Sequence, residues 1–310
     1  MSLPDLLTIR GRSFGVSSGS PTLMGVLNAS PESFSDGGRF PDLRSQIAGA
    51  LALVEAGADI VDVGGESGVT GIASMTADDE RGRVEPLVKA LVNEGIAVSV
   101  DTWKVDVAAA VLDAGALMVN DVSGLLDPEI AMRCAATDAG LVIMHTRARP
   151  KHKDFPHRSV DAAVSDVLPF LTERIALAES LGVKRERIVV DPGPDFGKTP
   201  AQTVAILRHL PDLATFGCPI LLAVSRKDFV GALTSRPPAD RLAGTLAAVA
   251  AGVANGAGIL RVHDVAAVRD FLVVAKALAG TLPVPPDLRL PTTLRRQPIS
   301  TSIGGEPDGR

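Results

Sequence analysis

Eight short apolar runs recur along the chain, at 23–27, 60–63, 97–100, 117–119, 141–144, 188–190, 220–224 and 259–262. Parallel strands buried on both faces read as continuous Val/Ile/Leu runs of this kind. Nearly every run ends in a polar residue: Asn28, Glu66, Asp101, Asn120, His145, Asp191, Ser225 with Lys227, and His263 stand at or just past the ends. Between the runs, helical patterning covers 43–56, 77–94, 105–114, 128–136, 160–181, 201–209, 241–254 and 265–279. Several of these stretches exit through glycine, at Gly57, Gly115, Gly140 and Gly182, as helices closed by a left-handed cap do.

The repeating unit is therefore strand, loop, helix, glycine. Eight such units predict an α/β protein with a (β/α)8 barrel, in which all strand C-termini meet at one mouth. An open doubly wound sheet is the structural alternative, and the even repetition favours closure. Residues 1–21 are expected to form a short N-terminal hairpin around Gly11 that plugs the barrel bottom. Residues 22–280 form the barrel, and 281–310, rich in proline and ending in GGEPDGR, form a disordered tail.

Composition narrows the function classes. The chain has 310 residues, a net charge of −5, 46% hydrophobic residues and only 3% aromatics, with no tyrosine. Few aromatics and mild acidity argue against a nucleic-acid surface. Neither an apolar leader nor a membrane-spanning run is read, and the two cysteines, Cys134 and Cys218, lack metal-ligand spacing, so a cytoplasmic enzyme for small molecules is expected.

Three connections exceed the usual length for this architecture: 28–42, 64–76 and the basic stretch 146–159. The first two are candidate lids, and the third is as readily a tolerated insertion.

The motifs MGVLNASPESFSDGG (24–38), ADIVDVGGES (58–67), VSVDTWK (98–104), NDVSGL (120–125), DPGPDFGKT (191–199), SRKDFVG (225–231) and ILRVHDV (259–265) occur in one order across the whole barrel. In that order and spacing the chain resembles the dihydropteroate synthase family. The resemblance implies a transferase of folate biosynthesis. It would condense 6-hydroxymethyl-7,8-dihydropterin pyrophosphate with p-aminobenzoate, aided by Mg2+, in a homodimer. Carboxylates and amides suit a flat, amide-rich heterocycle, because they offer paired acceptors and donors. By resemblance Asp101, Asn120 and Asp191 read the pterin, and Lys227 donates to its ring. Asn28 is the Mg2+-associated residue, and Arg261 and His263 anchor the pyrophosphate. These two together with Asn28 and Lys227 stand at the reacting end. Phe34, Ser35, Asp36, Phe196, Ser225 and Lys227 fall on the aminobenzoate side. Bland roles stay open beside these: a helix cap for Asp101 and for Asp191, an internal ion pair for Arg261, and plain packing for Phe196.

The chain also departs from the family. Where the second lid continues Glu-Ser-Thr-Arg-Pro-Gly, it reads Glu66-Ser67-Gly68-Val69-Thr70-Gly71. The arginine removed is a bidentate anion donor that valine and threonine cannot replace. Gly-Ile-Gly-Phe-Gly-Lys becomes Gly193-Pro194-Asp195-Phe196-Gly197-Lys198, adding a carboxylate that is unhelpful beside an anionic acceptor unless it is paired. The pterin floor is thus expected to be intact and the acceptor side altered, with slow or sulfonamide-insensitive synthesis. A non-catalytic or altered-acceptor pterin-binding paralogue is the second reading. A methyltetrahydrofolate–corrinoid methyltransferase is a third, disfavoured by the SRK segment, and an ordinary aldolase or isomerase barrel leaves the motifs unexplained.

Overall fold

The computed structural model describes residues 3–29, 42–66, 73–152 and 158–295. Eight parallel strands close into a barrel: β3 (Ser20–Asn28), β4 (Ile60–Gly64), β5 (Val98–Asp101), β6 (Met118–Asp121), β7 (Gly140–Met144), β8 (Ile188–Asp191), β9 (Ile220–Leu222) and β10 (Ala257–Val262). They pair in sequence order, and β10 returns to β3 with Arg261 beside Met24. Each strand coincides with one of the eight apolar runs, as burial on both faces requires.

The helices are α1 (Leu43–Ala56), α2 (Ala77–Asn93), α3 (Val105–Asp113), α4 (Glu129–Ala136), α5 (Val160–Ser180), α6 (Pro200–Arg208), α7 (Asp228–Thr234), α8 (Leu242–Ala254) and α9 (Val265–Leu278). Their ends follow local chemistry. The Asp42 carboxylate caps α1 by accepting from Ser45 N, and Thr199 with Gln202 forms a reciprocal capping box at α6. Only α7 lacks a counterpart in the helical pattern of the sequence.

A hairpin of β1 (Leu6–Ile9) and β2 (Arg12–Ser17) continues into β3 through Val16 beside Pro21. Leu7, Ile9, Phe14 and Val16 cluster with Met24, Ile60, Met118, Val142, Val189, Leu221 and Ile259, the lower inward side chains of the barrel. The hairpin therefore fills the bottom, as its position in sequence predicted. Gly258 is required for this seat, because a Cβ there would overlap the Val16 carbonyl. On the outside, Val61, Val63, Val98 and Val100 pack with Val84, Leu87, Leu91, Val107 and Val111 of α2 and α3.

Two compact units are distinguished, Met1–Phe271 and Leu272–Arg310. The first holds the hairpin and the barrel. The second holds the end of α9 and, within 281–295, a short helical turn at Thr292–Leu294. Of the expected disordered tail, residues 296–310 lie outside the described residues.

Candidate functional site

Side chains alternate along a strand, so the residue two positions after an inward apolar one also faces inward and sits one layer nearer the mouth. Ile60 is followed by Asp62, Met118 by Asn120, Val189 by Asp191, and Ile259 by Arg261. The interior thus changes from apolar at the bottom to charged at the mouth within one residue pair. Register makes the groups neighbours: Asp101 lies beside Asn120 and Gly64, and Gly64 beside Asn28.

Arg261 is the centre of this layer. Its Nε donates to Asp62 Oδ2 at 2.6 Å and its Nη2 to Asp101 Oδ2 at 2.8 Å. Asn120 Nδ2 donates to the same Asp62 oxygen at 3.1 Å. The internal ion pair left open for Arg261 is therefore present, and its partners are site residues. Asp62 is wholly buried, and it was not singled out from sequence because it stands inside the run Ile60-Val61-Asp62-Val63. The available signal was a lone charge at an inward position of a buried strand.

Asp62 Oδ1 and Asn120 Oδ1 are buried and find no hydrogen-bond partner among the described residues. Such acceptors cost free energy unless a donor arrives. Burial holds the Asp101 carboxyl well above its ordinary range; Asp62 adds to this and Arg261 opposes it. Burial likewise raises Asp191, whose Oδ1 accepts from Gly193 N at 2.7 Å. Asp191 thus holds its own loop as well as facing the mouth.

Lys227 and Phe196 meet at the next sector, with the ammonium 4.2 Å from the ring centroid. Burial lowers the Lys227 pKa, and Asp195 and Asp191 counter this. The added carboxylate of Asp195 is paired after all: Oδ2 accepts from Phe229 N at the start of α7, and Oδ1 from the Thr203 hydroxyl, each at 3.1 Å. Ser225 supports His263: its hydroxyl oxygen lies 3.0 Å from His263 Nδ1 and accepts from His263 N at 3.2 Å.

Beneath this side, the Lys198 ammonium donates to three carbonyls, of His145 at 2.9 Å, Gly193 at 2.7 Å and Phe196 at 3.1 Å. This buried knot ties the β7–α5 and β8–α6 connections together. Burial lowers the Lys198 pKa to about 7. Gly193, with φ of +64°, is needed where a Cβ would strike the His145 carbonyl.

His145 Nε2 lies 3.2 Å from Asp166, whose carboxylate also takes a bidentate pair from Arg147 and a third bond from Arg158. Burial lowers both His145 and His263 to about 3, with Lys198 assisting at the first and Arg261 at the second. Both rings are neutral at pH 7. The unfolded chain takes up a proton at His145 below about 6.5, whereas the folded chain does not until about 3. This group's contribution is therefore present above 6.5 and is lost as pH falls through that window. The stability of a His145→Phe variant relative to the parent is expected to shift in the variant's favour by about 2 kcal/mol between pH 7 and 5. Urea denaturation at both pH values checks this, and a difference independent of pH would refute it.

Asn28 ends β3 and lies beside Gly64 of β4 in register. Among the described residues no cluster of three or more His, Cys, Asp or Glu is placed to hold a metal. The Asn28 amide oxygen is by its chemistry a hard donor, of the kind a Mg2+-like cation takes alongside water and phosphate oxygens. The structure therefore brings Asn28, Asp101, Asn120, Asp191, Phe196, Ser225, Lys227, Arg261 and His263 to one mouth. Phe34, Ser35 and Asp36 lie outside the described residues, as do Gly68, Val69 and Thr70.

A family model described as pterin binding enzyme matches residues 24–263. The dihydropteroate synthase of Synechocystis is 40% identical over 259 residues, covering 83% of this chain and 89% of its own. A probable bifunctional folylpolyglutamate synthase/dihydropteroate synthase of Haloferax volcanii is 44% identical over 245 residues, 78% of this chain but 29% of that longer protein. Among solved structures, Xanthomonas albilineans dihydropteroate synthase with 4-aminobenzoic acid superposes with a TM-score of 0.82 at 40% identity, over 91% of this chain and 100% of the other. The same enzyme in complex with 7,8-dihydropteroate gives 0.78 at 39% identity, over 90% of this chain and 100% of that one.

Proposed function

This chain belongs to the pterin-binding enzyme family, and from that membership we propose that it is a dihydropteroate synthase, a transferase of folate biosynthesis. It joins 6-hydroxymethyl-7,8-dihydropterin pyrophosphate to p-aminobenzoate, giving 7,8-dihydropteroate and pyrophosphate. The observation that carries the reading is the pair of buried acceptors, Asp62 Oδ1 and Asn120 Oδ1, that lack a donor among the described residues and lie beside Arg261. A flat heterocycle edged with N–H groups supplies the missing donors.

In this reading Asp191, Asn120 and Asp101 hold the pterin edge, and Lys227 donates to the ring from the α7 side. The bond between the pterin methylene and the pyrophosphate oxygen breaks, and its electron pair leaves with pyrophosphate. The aromatic amine then attacks the methylene and gives up a proton to solvent or to the departing pyrophosphate. Arg261 and His263 face that leaving group, where preplaced positive charge and donors stabilise developing negative charge. Neutral His263 does so as a hydrogen-bond donor from the ring nitrogen that Ser225 does not engage. Asn28 would hold Mg2+, which supplies charge neutralisation at the pyrophosphate. A homodimeric assembly and a cytoplasmic location complete the proposal.

The altered segment Glu66-Ser67-Gly68-Val69-Thr70-Gly71 supports a second reading, pterin binding with a changed or absent acceptor step. A coupled assay of pyrophosphate release with pterin pyrophosphate, Mg2+ and p-aminobenzoate separates the two. Release dependent on both organic substrates, slow or resistant to sulfonamides, is expected. Calorimetric binding of the pterin without turnover would select the second reading, and no pterin binding would end both.

A further inference from the structure

The connection after β7 makes a contact that its place in the barrel does not require. Arg149, Pro150, Lys151 and His152 form a turn closed by His152 N donating to Arg149 O at 3.1 Å. Lys151 is its third residue, with φ of +67°, a position that turns of this type give to glycine. A lysine kept in a backbone state that disfavours it points to a use for its side chain. Its Nζ lies 3.2 Å from Glu66 Oε1, and the two side chains are 9% and 4% exposed.

Glu66 stands just past β4, and β5 and β6 separate β4 from β7 in the closed sheet. The β7–α5 connection therefore passes the ends of two strands, those carrying Asp101 and Asn120, to reach it. Glu66 is a hub there. It accepts from Lys104 Nζ at 2.6 Å, from Ser74 Oγ at 3.2 Å and from Met75 N at 3.1 Å. Lys104 in turn bonds Glu80 of α2. Residues 66–80 contain no lysine or arginine, so the cations that fix this connection come from other loops.

We propose that Lys151 is a positioning residue: it clamps the β7–α5 connection to Glu66 and thereby holds the root of the β4–α2 connection in the register that the aromatic-amine acceptor needs. This rests on the synthase reading above. The role is specific to the second substrate, because the pterin floor is organised by Asp62, Asn120 and Arg261 without Lys151.

The test compares Lys151→Gly with Lys151→Arg. Glycine suits the turn and removes the ammonium, while arginine keeps the charge. Lys151→Gly is expected to raise the KM for p-aminobenzoate about tenfold, with calorimetric pterin affinity within about twofold of the parent. Lys151→Arg is expected to recover most of the loss. Hydrogen exchange at the Met75 amide, which needs no turnover, is expected to quicken in the glycine variant. A purely structural turn predicts the reverse, since glycine would then serve as well as lysine or better. Unchanged acceptor KM overturns the proposal, and so does unchanged exchange. If the parent chain makes no dihydropteroate, the synthase reading fails while exchange still decides the clamp. Lys151→Asn, which tolerates the positive φ and removes the ammonium, serves where Lys151→Gly misfolds.

Discussion

Arg261→Met is expected to destabilise the fold by about 3–5 kcal/mol at pH 7 and to abolish measurable synthesis. The guanidinium is the shared partner of Asp62 and Asp101, at 2.6 and 2.8 Å. Methionine fills similar volume and leaves two carboxylates without it in a buried layer. The Asp101 carboxyl, already raised by burial, then loses the guanidinium that opposes the shift, so the folded variant binds more protons than the unfolded one. Stability therefore returns as pH falls toward the unfolded carboxylate range, and the deficit is expected to be smaller at pH 5 than at pH 7. Urea denaturation at the two pH values measures it. An equal deficit at both would show that lost packing, rather than two unpaired carboxylates, is the cause. A double variant, Asp62→Asn with Arg261→Met, is expected to cost less than the two single changes added together, because the pair is removed as a unit.

Lys227→Met is expected to act in the opposite sense on folding. Its ammonium stands against the Phe196 ring and its pKa is lowered chiefly by burial, so removing the charge is expected to leave the melting temperature unchanged or higher. Turnover is expected to fall by about 10²–10³. Pterin affinity is expected to weaken by about 10- to 100-fold, the scale of one hydrogen bond to a charged donor. Calorimetry with the pterin pyrophosphate and the pyrophosphate-release assay measure the two effects. A variant that binds pterin as tightly as the parent would remove Lys227 from the ring-reading set.

Much of this was legible because burial on both faces writes itself into sequence. All eight strands appear as apolar runs, and the polar residue at each end marks the mouth. Where a residue's role depends on a partner distant in sequence, the sequence is silent. Asp62 was hidden inside an apolar run, and its meaning comes from Arg261, which is 199 positions away. Lys198 was visible only as the end of a motif, while its three carbonyl partners come from two connections. Asp195 read as an awkward charge until the Phe229 amide and the Thr203 hydroxyl were beside it. The seven residues of α7 are too short to show helical periodicity. Lys151 lies in a loop that was as readily a tolerated insertion, and nothing local marks it as the partner of Glu66.

With β1 and β2 seated in the base of the barrel, the site has a stopper at one end and a doorway at the other. Everything that enters must leave by the same route. Under the synthase reading, both substrates would reach the charged layer from the side of the strand C-termini, and both products would leave by it.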